Sequence, residues 1–341
     1  MRKVLHTDNP RWTVADVPDQ RGRTAIVTGA NSGLGFETAR VLAEHGATVI
    51  LVCRDAARAR LAAARIRVGI PASDVRVEQL DLASLASVRS AAERIRAAHP
   101  RLDLLINNAG VMCPPPGRTE DGFEPTFGIN HLGHFALTGL LLDRLVATAG
   151  SRIVTVSSLV HRYGRIDVDH LRRLPSGERP GGRRRSRRPY PDSKLANVMF
   201  TFELQRRLAQ AGGSTIAVAA HPGIARTELG RGLTPAARVF LGARMAPVMS
   251  WLIQGPRVGA LATVRAAVDP GARGGEYYGP GGLLGSTGLP VVTEASARAA
   301  DVRRQRRLWE ESERLTGVTY DLREPARPPT TSPARPSLVS P

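Results

Sequence analysis

This sequence predicts an α/β fold, a doubly wound parallel sheet with helices on both faces, on three observations. Short β-branched runs alternate with longer segments of helical periodicity from Thr24 to about Thr215. A glycine-rich turn lies between the first such run and the first helical segment. The 341 residues are enough to build one sizeable core of this kind without a second domain.

The first strand is TAIVTG (24–29), a run that is uncharged and closed by glycine. ATVILVC (47–53), VRVEQLD (75–81), LDLLIN (102–107), RIVTVSS (152–158) and STIAVAAH (214–221) continue the series, and GGEYYG (274–279) reads as a last strand, about seven in all. Between strands, segments such as SLASVRSAAERIRAAH (84–99) carry apolar residues at helical spacing and serve as crossovers. Right-handed crossovers then stack helices on both faces of the sheet. Residues 1–22 form a polar lead-in, 23–320 the single domain, and 321–341 a tail too proline-rich and apolar-poor to pack, which is expected to be disordered. Within the domain, about 163–189 is a basic insertion rich in Pro and Gly.

The net charge of +18 invites a nucleic-acid reading, yet the arginines are spread over helices and loops and aromatic residues make up only 4%, so stacking platforms are missing and no nucleic-acid partner is expected. Lysine is nearly absent: of 48 basic side chains only Lys3 and Lys194 are lysine. Cys53 and Cys113 are too few for a disulfide framework or a cysteine-based zinc site, which fits a reducing cytoplasm. The opening MRKVLHTDNPRW lacks the apolar core of a signal peptide, and no stretch approaches the roughly 18 apolar residues of a membrane span. MAPVMSWLI (245–253) is apolar enough to leave peripheral membrane contact as an alternative, although core or lid packing is the commoner reason for such a stretch.

IVTGANSGLGFETARVLAEHG places Gly29, Gly33 and Gly35 between an apolar strand and a helix. Glycine at the strand end permits a tight turn, glycines at the helix start let the backbone approach a pyrophosphate, and the helix N-terminus adds free N–H groups and positive dipole. Asn31 and Ser32 supply further polar contacts. The spacing is G-x-x-x-G-x-G, and TGANSGLG is followed in order by NNAG (107–110), NHLGHF (130–135), VSS (156–158), YPDSK (190–194) and HPG (221–223). From about Thr24 to Thr227, and more weakly to about Tyr320, the chain resembles the short-chain dehydrogenase/reductase family, nearest its retinol-dehydrogenase and protochlorophyllide-reductase-like branch by TGANSGLG, NHLGHF and SKLAN.

That resemblance implies a single Rossmann-type domain and an NAD(P)-dependent enzyme acting on an alcohol or carbonyl group of a small, hydrophobic substrate. It implies cofactor contacts at Gly29, Asn31, Ser32, Gly33, Leu34 and Gly35, at Asp81 and Leu82 for the adenine, at Asn108, Ala109 and Gly110, and at Pro222, Gly223, Ile224 and Thr227 for the nicotinamide half. It further implies a substrate lid at about 228–255 and self-association through long helices like the one expected around 119–148. NADP(H) is favoured over NAD(H), because the second strand ends in Cys53 and Arg54 where an acidic side chain would otherwise hold the ribose hydroxyls, and a guanidinium there pairs with a 2′-phosphate. Asp55 reverses the preference if the register shifts by a residue or two.

Hydride transfer leaves an oxygen that needs a proton donor or acceptor, and Tyr190 with Lys194 four residues on is the candidate pair. Lowering a phenol from about 10 to about 7 takes roughly 4 kcal/mol. One positive charge about 5 Å away gives roughly 3 kcal/mol at an effective dielectric of about 20, and an oxidised nicotinamide adds the rest. By resemblance Tyr190 is the general acid/base, Lys194 also binds the nicotinamide ribose, Ser158 hydrogen-bonds the substrate oxygen, and Asn130 holds a water linking Lys194 to solvent. Ser157 replaces Ser158 if the strand ends one residue earlier, and Asn130 has the alternative of tying neighbouring backbone together. Tyr163 is rejected because Asp167 lies a helical turn on. His131 and His134 lack an obvious third ligand, so no metal is expected.

Ser158 and Tyr190 stand 32 residues apart, longer than the family's habit, and the tract GGRRRSRR (181–188) fills the extra length at the rim of the site. It reads as a solvated arginine loop, with recruitment of an acidic substrate, partner or polyphosphate as the alternative. At the level of function, a non-catalytic NADP(H)-binding or polyanion-binding protein retaining the fold is the rival of the enzyme.

Overall fold

The computed structural model describes residues 11–167, 189–224 and 254–322. Thr227, most of the basic insertion, nearly all of the expected lid and most of the proline-rich tail lie outside the described residues.

The elements follow the apolar runs: β1 (Thr24–Thr28), α1 (Gly33–Glu44), β2 (Thr48–Cys53), α2 (Ala56–Gly69), β3 (Val75–Gln79), α3 (Leu85–Ala98) and β4 (Leu104–Asn107). A single turn α4 (Pro125–Phe127) leads through a π-helical turn (Gly128–Leu132) into α5 (Gly133–Val146). Then come β5 (Arg152–Val156), a 3-10 turn (Leu159–Tyr163), α6 (Pro189–Gln210), β6 (Ile216–Ala220), α7 (Pro256–Val268), β7 (Tyr277–Pro280), β8 (Pro290–Thr293) and α8 (Val302–Thr316).

The strands form one eight-stranded sheet in the order β3-β2-β1-β4-β5-β6-β7-β8, parallel except for β8, which pairs antiparallel with β7. β8 exceeds the expected count of about seven. Its four residues begin with proline and sit at the sheet edge, so neither length nor composition marks them as a strand. Strand alternation divides the interior in two. Ala25, Val27, Val49 and Leu51 face the core shared with α1, α2 and α7, while Ile26, Ile50, Leu105 and Ile153 face the core shared with α3, α5 and α6. Helices on both faces follow directly. The order reverses between β1 and β4, where the chain leaves the sheet in opposite directions and opens a crevice at the strands' carboxyl ends.

Within the lead-in, Trp12 and Val17 are buried in the first core, and the Arg265 guanidinium lies 5.9 Å from the Trp12 ring centroid. Many described arginines answer local carboxylates on separate elements: Arg40 meets Glu37 and Glu44, Arg94 meets Glu78, and Arg101 meets Asp103.

Candidate active site

The loops leaving β1, β2, β3, β4, β5 and β6 converge at this crevice. After β1, Gly29 and Gly33 take φ of +67° and +58°, the left-handed region that glycine enters without strain. A Cβ on Gly35 would stand 2.6 Å from the Gly29 carbonyl oxygen and closer still to Asn108 Nδ2, and one on Gly29 would stand 2.9 Å from Ala109 Cα. The turn therefore packs directly on the β4 loop. Asp55 and Ser84 cap α2 and α3 by accepting from the N–H groups of Arg58 and Ser87, whereas Ser32 makes no such bond at the head of α1. The first-turn donors of α1 are thus left for an anion. Asn31, Ser32 and Gly33 are partly exposed there, and Leu34 is buried behind them.

β2 ends at Cys53, whose thiol is pushed up to about 11 by burial and receives the Ala30 and Asn31 N–H groups. Arg54 follows immediately and is exposed, and the Asp55 carboxylate is occupied by the Arg58 N–H (3.0 Å) and the Arg58 guanidinium (3.3 Å). Past β3, Asp81 accepts from the Ala83 N–H at 2.9 Å, and Leu82 lies against Gly133, where a Cβ would stand 2.6 Å from the Leu82 carbonyl.

At the end of β4, the N–H groups of Asn108 and Ala109 both donate to Thr28 Oγ1 (2.9 and 3.0 Å), and Asn108 Nδ2 donates to the Thr28 carbonyl (2.8 Å). Thr28 Oγ1 in turn lies 2.9 Å from His134 Nε2, and His134 Nδ1 lies 3.1 Å from the Asn130 carbonyl. A neutral ring satisfies both contacts, with Nδ1–H donating to Asn130 and Nε2 accepting from Thr28, and burial pushes His134 down to about 4. His131 instead sits among Phe127, Phe135 and Phe200 with its Nε2 2.9 Å from Ser312 Oγ. The pair considered as metal ligands is spent separately.

Asn130, in the π-helical turn, accepts from the Val111 N–H (2.8 Å) and donates to the Val111 carbonyl (3.0 Å) and to Ser193 Oγ (3.0 Å), which itself donates to the Tyr190 carbonyl (2.9 Å). Its side chain thus ties the β4 loop to the first turn of α6. A Cβ on Gly110 would stand 3.3 Å from Asn130 Oδ1 and 3.4 Å from Lys194 Nζ, so these three groups meet at one point.

Tyr190 and Lys194 lie one turn apart on α6, the ammonium 5.7 Å from the phenol ring centroid and donating to the Val156 carbonyl at 3.0 Å. Tyr190 hydrogen-bonds Ser158. Ser157 is buried and turned the other way, donating to the Lys194 carbonyl at 2.7 Å, so Ser158 is the serine that faces the phenol. Tyr163 is exposed to solvent. The electrostatics differ from the expectation that Lys194 draws the phenol down: burial raises Tyr190 above its ordinary value, opposed by the Ser158 bond, and burial lowers Lys194 to about 8. Desolvation penalises phenolate and ammonium alike, and it is the largest cause at both groups.

After β6, Gly223 has φ of +67°, with a Cβ blocked by the Ser286 carbonyl, and the Ile224 N–H donates to that carbonyl at 2.8 Å. Pro222, Gly223 and Ile224 follow the carboxyl end of β6, on the same edge of the sheet as the glycine turn. Thr28, His134, Ser193 and His161 were not singled out for this site; the i, i+4 spacing of His134 from Asn130 was the available signal.

The family model for short chain dehydrogenase matches residues 23–169. Human retinol dehydrogenase 13 is 44% identical over 299 residues, 87% of this chain and 85% of that protein. The chain belongs to the short-chain dehydrogenase/reductase family. Human retinol dehydrogenase 12 is 39% identical over 305 residues, covering 88% of each chain. Among solved structures, an uncharacterized protein from Mycobacterium Paratuberculosis superposes with a TM-score of 0.71 at 39% identity over 91% of this chain and 99% of that one. A short chain dehydrogenase from Shigella flexneri 2a str. 301 complexed with NADP shares the fold, with a TM-score of 0.57 at 24% identity over 76% of this chain and 97% of that one. As a short-chain dehydrogenase/reductase the protein is an oxidoreductase acting on alcohol and carbonyl groups, and this family binds NAD(P). The residues present fit that cofactor: the uncapped head of α1 offers donors to a diphosphate, and its glycines leave room no Cβ would allow.

Proposed function

We propose that the protein is an NADP(H)-dependent oxidoreductase that moves a hydride between nicotinamide and the alcohol or carbonyl carbon of a hydrophobic small molecule, with Tyr190 as general acid/base. The observation that carries this reading is the Tyr190 phenol joined to Ser158 on one side and flanked by the buried Lys194 ammonium on the other. When bound, the nicotinamide gives or takes the hydride. The Ser158 hydroxyl donates to the substrate oxygen and stabilises charge developing there. Tyr190 Oη–H gives its proton to that oxygen in reduction and takes it back in oxidation. Lys194, anchored at the Val156 carbonyl, stabilises the phenolate left behind and donates to the ribose of the nicotinamide half. Both Asn130 amide hydrogens are engaged, so a relay water there would donate to Asn130, at Oδ1 or at the main-chain carbonyl.

The preference for NADP(H) rests on Arg54 standing free of β2 while Asp55 is committed to capping α2, which leaves no carboxylate for the ribose hydroxyls. A hydrophobic substrate is supported by exposed Ile224, Leu283 and Leu284 near the mouth, by Leu159 next to Ser158, and by relatives that are named retinol dehydrogenases.

The test is a fluorescence titration with NADPH and NADH, followed by turnover with a panel of aldehydes and ketones that includes retinaldehyde. NADPH is expected to bind at least about 10-fold more tightly than NADH, and Tyr190→Phe to bind NADPH as the parent does while turnover falls about 10²- to 10⁴-fold. Undiminished turnover in Tyr190→Phe removes the mechanism, and tighter binding of NADH removes the cofactor preference.

A further inference from the structure

His161 lies three residues beyond Ser158 in the 3-10 turn, its ring fully buried. Its Nε2 stands 3.1 Å from the backbone nitrogen of Ser296, a group that can only donate, so Nε2 accepts and carries no proton. The proton of the neutral ring therefore sits on Nδ1, 2.8 Å from the Ser158 carbonyl oxygen. That carbonyl also receives the His161 main-chain N–H at 3.0 Å, so one residue supplies both of its hydrogen bonds. The ring is further fixed edge-on to Tyr277, with centroids 5.3 Å apart at 89°, and the Tyr277 hydroxyl is 3.3 Å from Nδ1. Burial lowers His161 below its ordinary value, which agrees with a ring kept neutral.

Apart from its bond to Tyr190, the Ser158 hydroxyl is weakly held. Its local contact, from the Val160 N–H, is 3.4 Å long. The Ser158 backbone sets where its Cβ sits, and so how near the hydroxyl lies to the phenol in the rotamer that reaches it; His161 holds that backbone at the carbonyl. We propose that His161 is a positioning residue for the reaction: its Nδ1–H fixes the Ser158 carbonyl and so aims the Ser158 hydroxyl at the Tyr190 phenol and the substrate oxygen, while Nε2 anchors the turn to Ser296. The inference rests on the assignment of Ser158 and Tyr190 made above.

Two substitutions separate the contacts. In His161→Asn the amide nitrogen falls near the former Nδ1 and keeps the Ser158 bond. In His161→Gln the amide reaches toward the former Nε2 and keeps the Ser296 bond. With NADPH and a carbonyl substrate, H161Q is expected to lower kcat about 10-fold with the NADPH KM unchanged, and H161N to hold kcat within about 3-fold of the parent. In a Ser158→Ala background the same H161Q change is expected to have no further effect on kcat, as coupling through Ser158 requires. The proposal is overturned if H161Q keeps the parental kcat, if both variants lose kcat in step with their melting temperatures, if the H161Q loss persists without Ser158, or if H161Q fails to bind NADPH, which makes the ring a scaffold element only. Tyr190→Phe, run alongside, separates the failures: full turnover there sinks the proposed chemistry, whereas collapse there with an unaffected H161Q sinks the role of His161 alone.

Discussion

Lys194 and Tyr190 are both held toward their neutral forms by burial, and this sets the pH behaviour of the site. Lys194 at about 8 loses its charge well before Tyr190 begins to titrate. Below about 8 the free protein thus carries an ammonium beside a protonated phenol, the state that can donate a proton. For carbonyl reduction, kcat/KM is expected to stay level from about pH 6 to about 7.5 and to fall as pH rises through about 8; a profile level to about pH 10 would show that the ammonium does not matter. The effect on stability has the opposite sign. The folded value lies below the ordinary 10.5, so between about 8 and 10.5 the unfolded chain binds more protons, and the penalty for burying this ammonium, fully present below about 8, is relieved as pH rises. The residue types and their spacing were legible in the chain. The direction of the Tyr190 shift was not, because burial is a sum over elements distant in sequence.

The expected strands overran at the site: TAIVTG, VRVEQLD, RIVTVSS and STIAVAAH each extend past the observed end of β1, β3, β5 or β6. The excess residues, Gly29, Asp81, Ser157, Ser158 and His221 among them, leave the ladder for the crevice. Of the residues past these four strand ends only Leu80 is apolar, so the change from apolar to polar or glycine residues marks the boundary closely. The helix expected around 119–148 is likewise interrupted by the π-helical turn that carries Asn130. The glycine turn behaves as an element rather than as loose chain. Gly35→Ala places a Cβ against the Gly29 carbonyl, backbone that has no room to retreat. It is expected to lower stability by about 1–3 kcal/mol in urea unfolding and to weaken NADPH binding by at least about 10-fold. Binding and stability at parental levels would mean that the turn is not packed as described.

Across the whole molecule, α8, the last helix among the described residues, closes the second core. Trp309 on α8 lies 5.2 Å from Phe135 of α5, 5.8 Å from Phe200 of α6 and 4.4 Å from Tyr320, and the Arg207 guanidinium covers it at 4.4 Å. Tyr320 donates to the Phe135 carbonyl at 2.6 Å. Part of the long helix that suggested self-association is thus covered by the chain's own C-terminal segment. Trp309→Ala is expected to destabilise the fold by about 3–5 kcal/mol in urea unfolding. A loss under about 1 kcal/mol would place the tryptophan outside the cooperative core. Among the described residues, no helix is long and apolar enough to cross a membrane.

Local pattern alone determined the strand and helix series, the glycine turn and the pair Tyr190 and Lys194, because periodicity and helical spacing act over a few residues. Tertiary structure decided the rest. It chose Ser158 over Ser157, linked Thr28 to Asn130 through His134, and brought Ser296 to His161 across 135 positions. Those outcomes depend on which strands lie side by side, and hydrogen bonds and burial between distant segments exist only once the sheet has assembled.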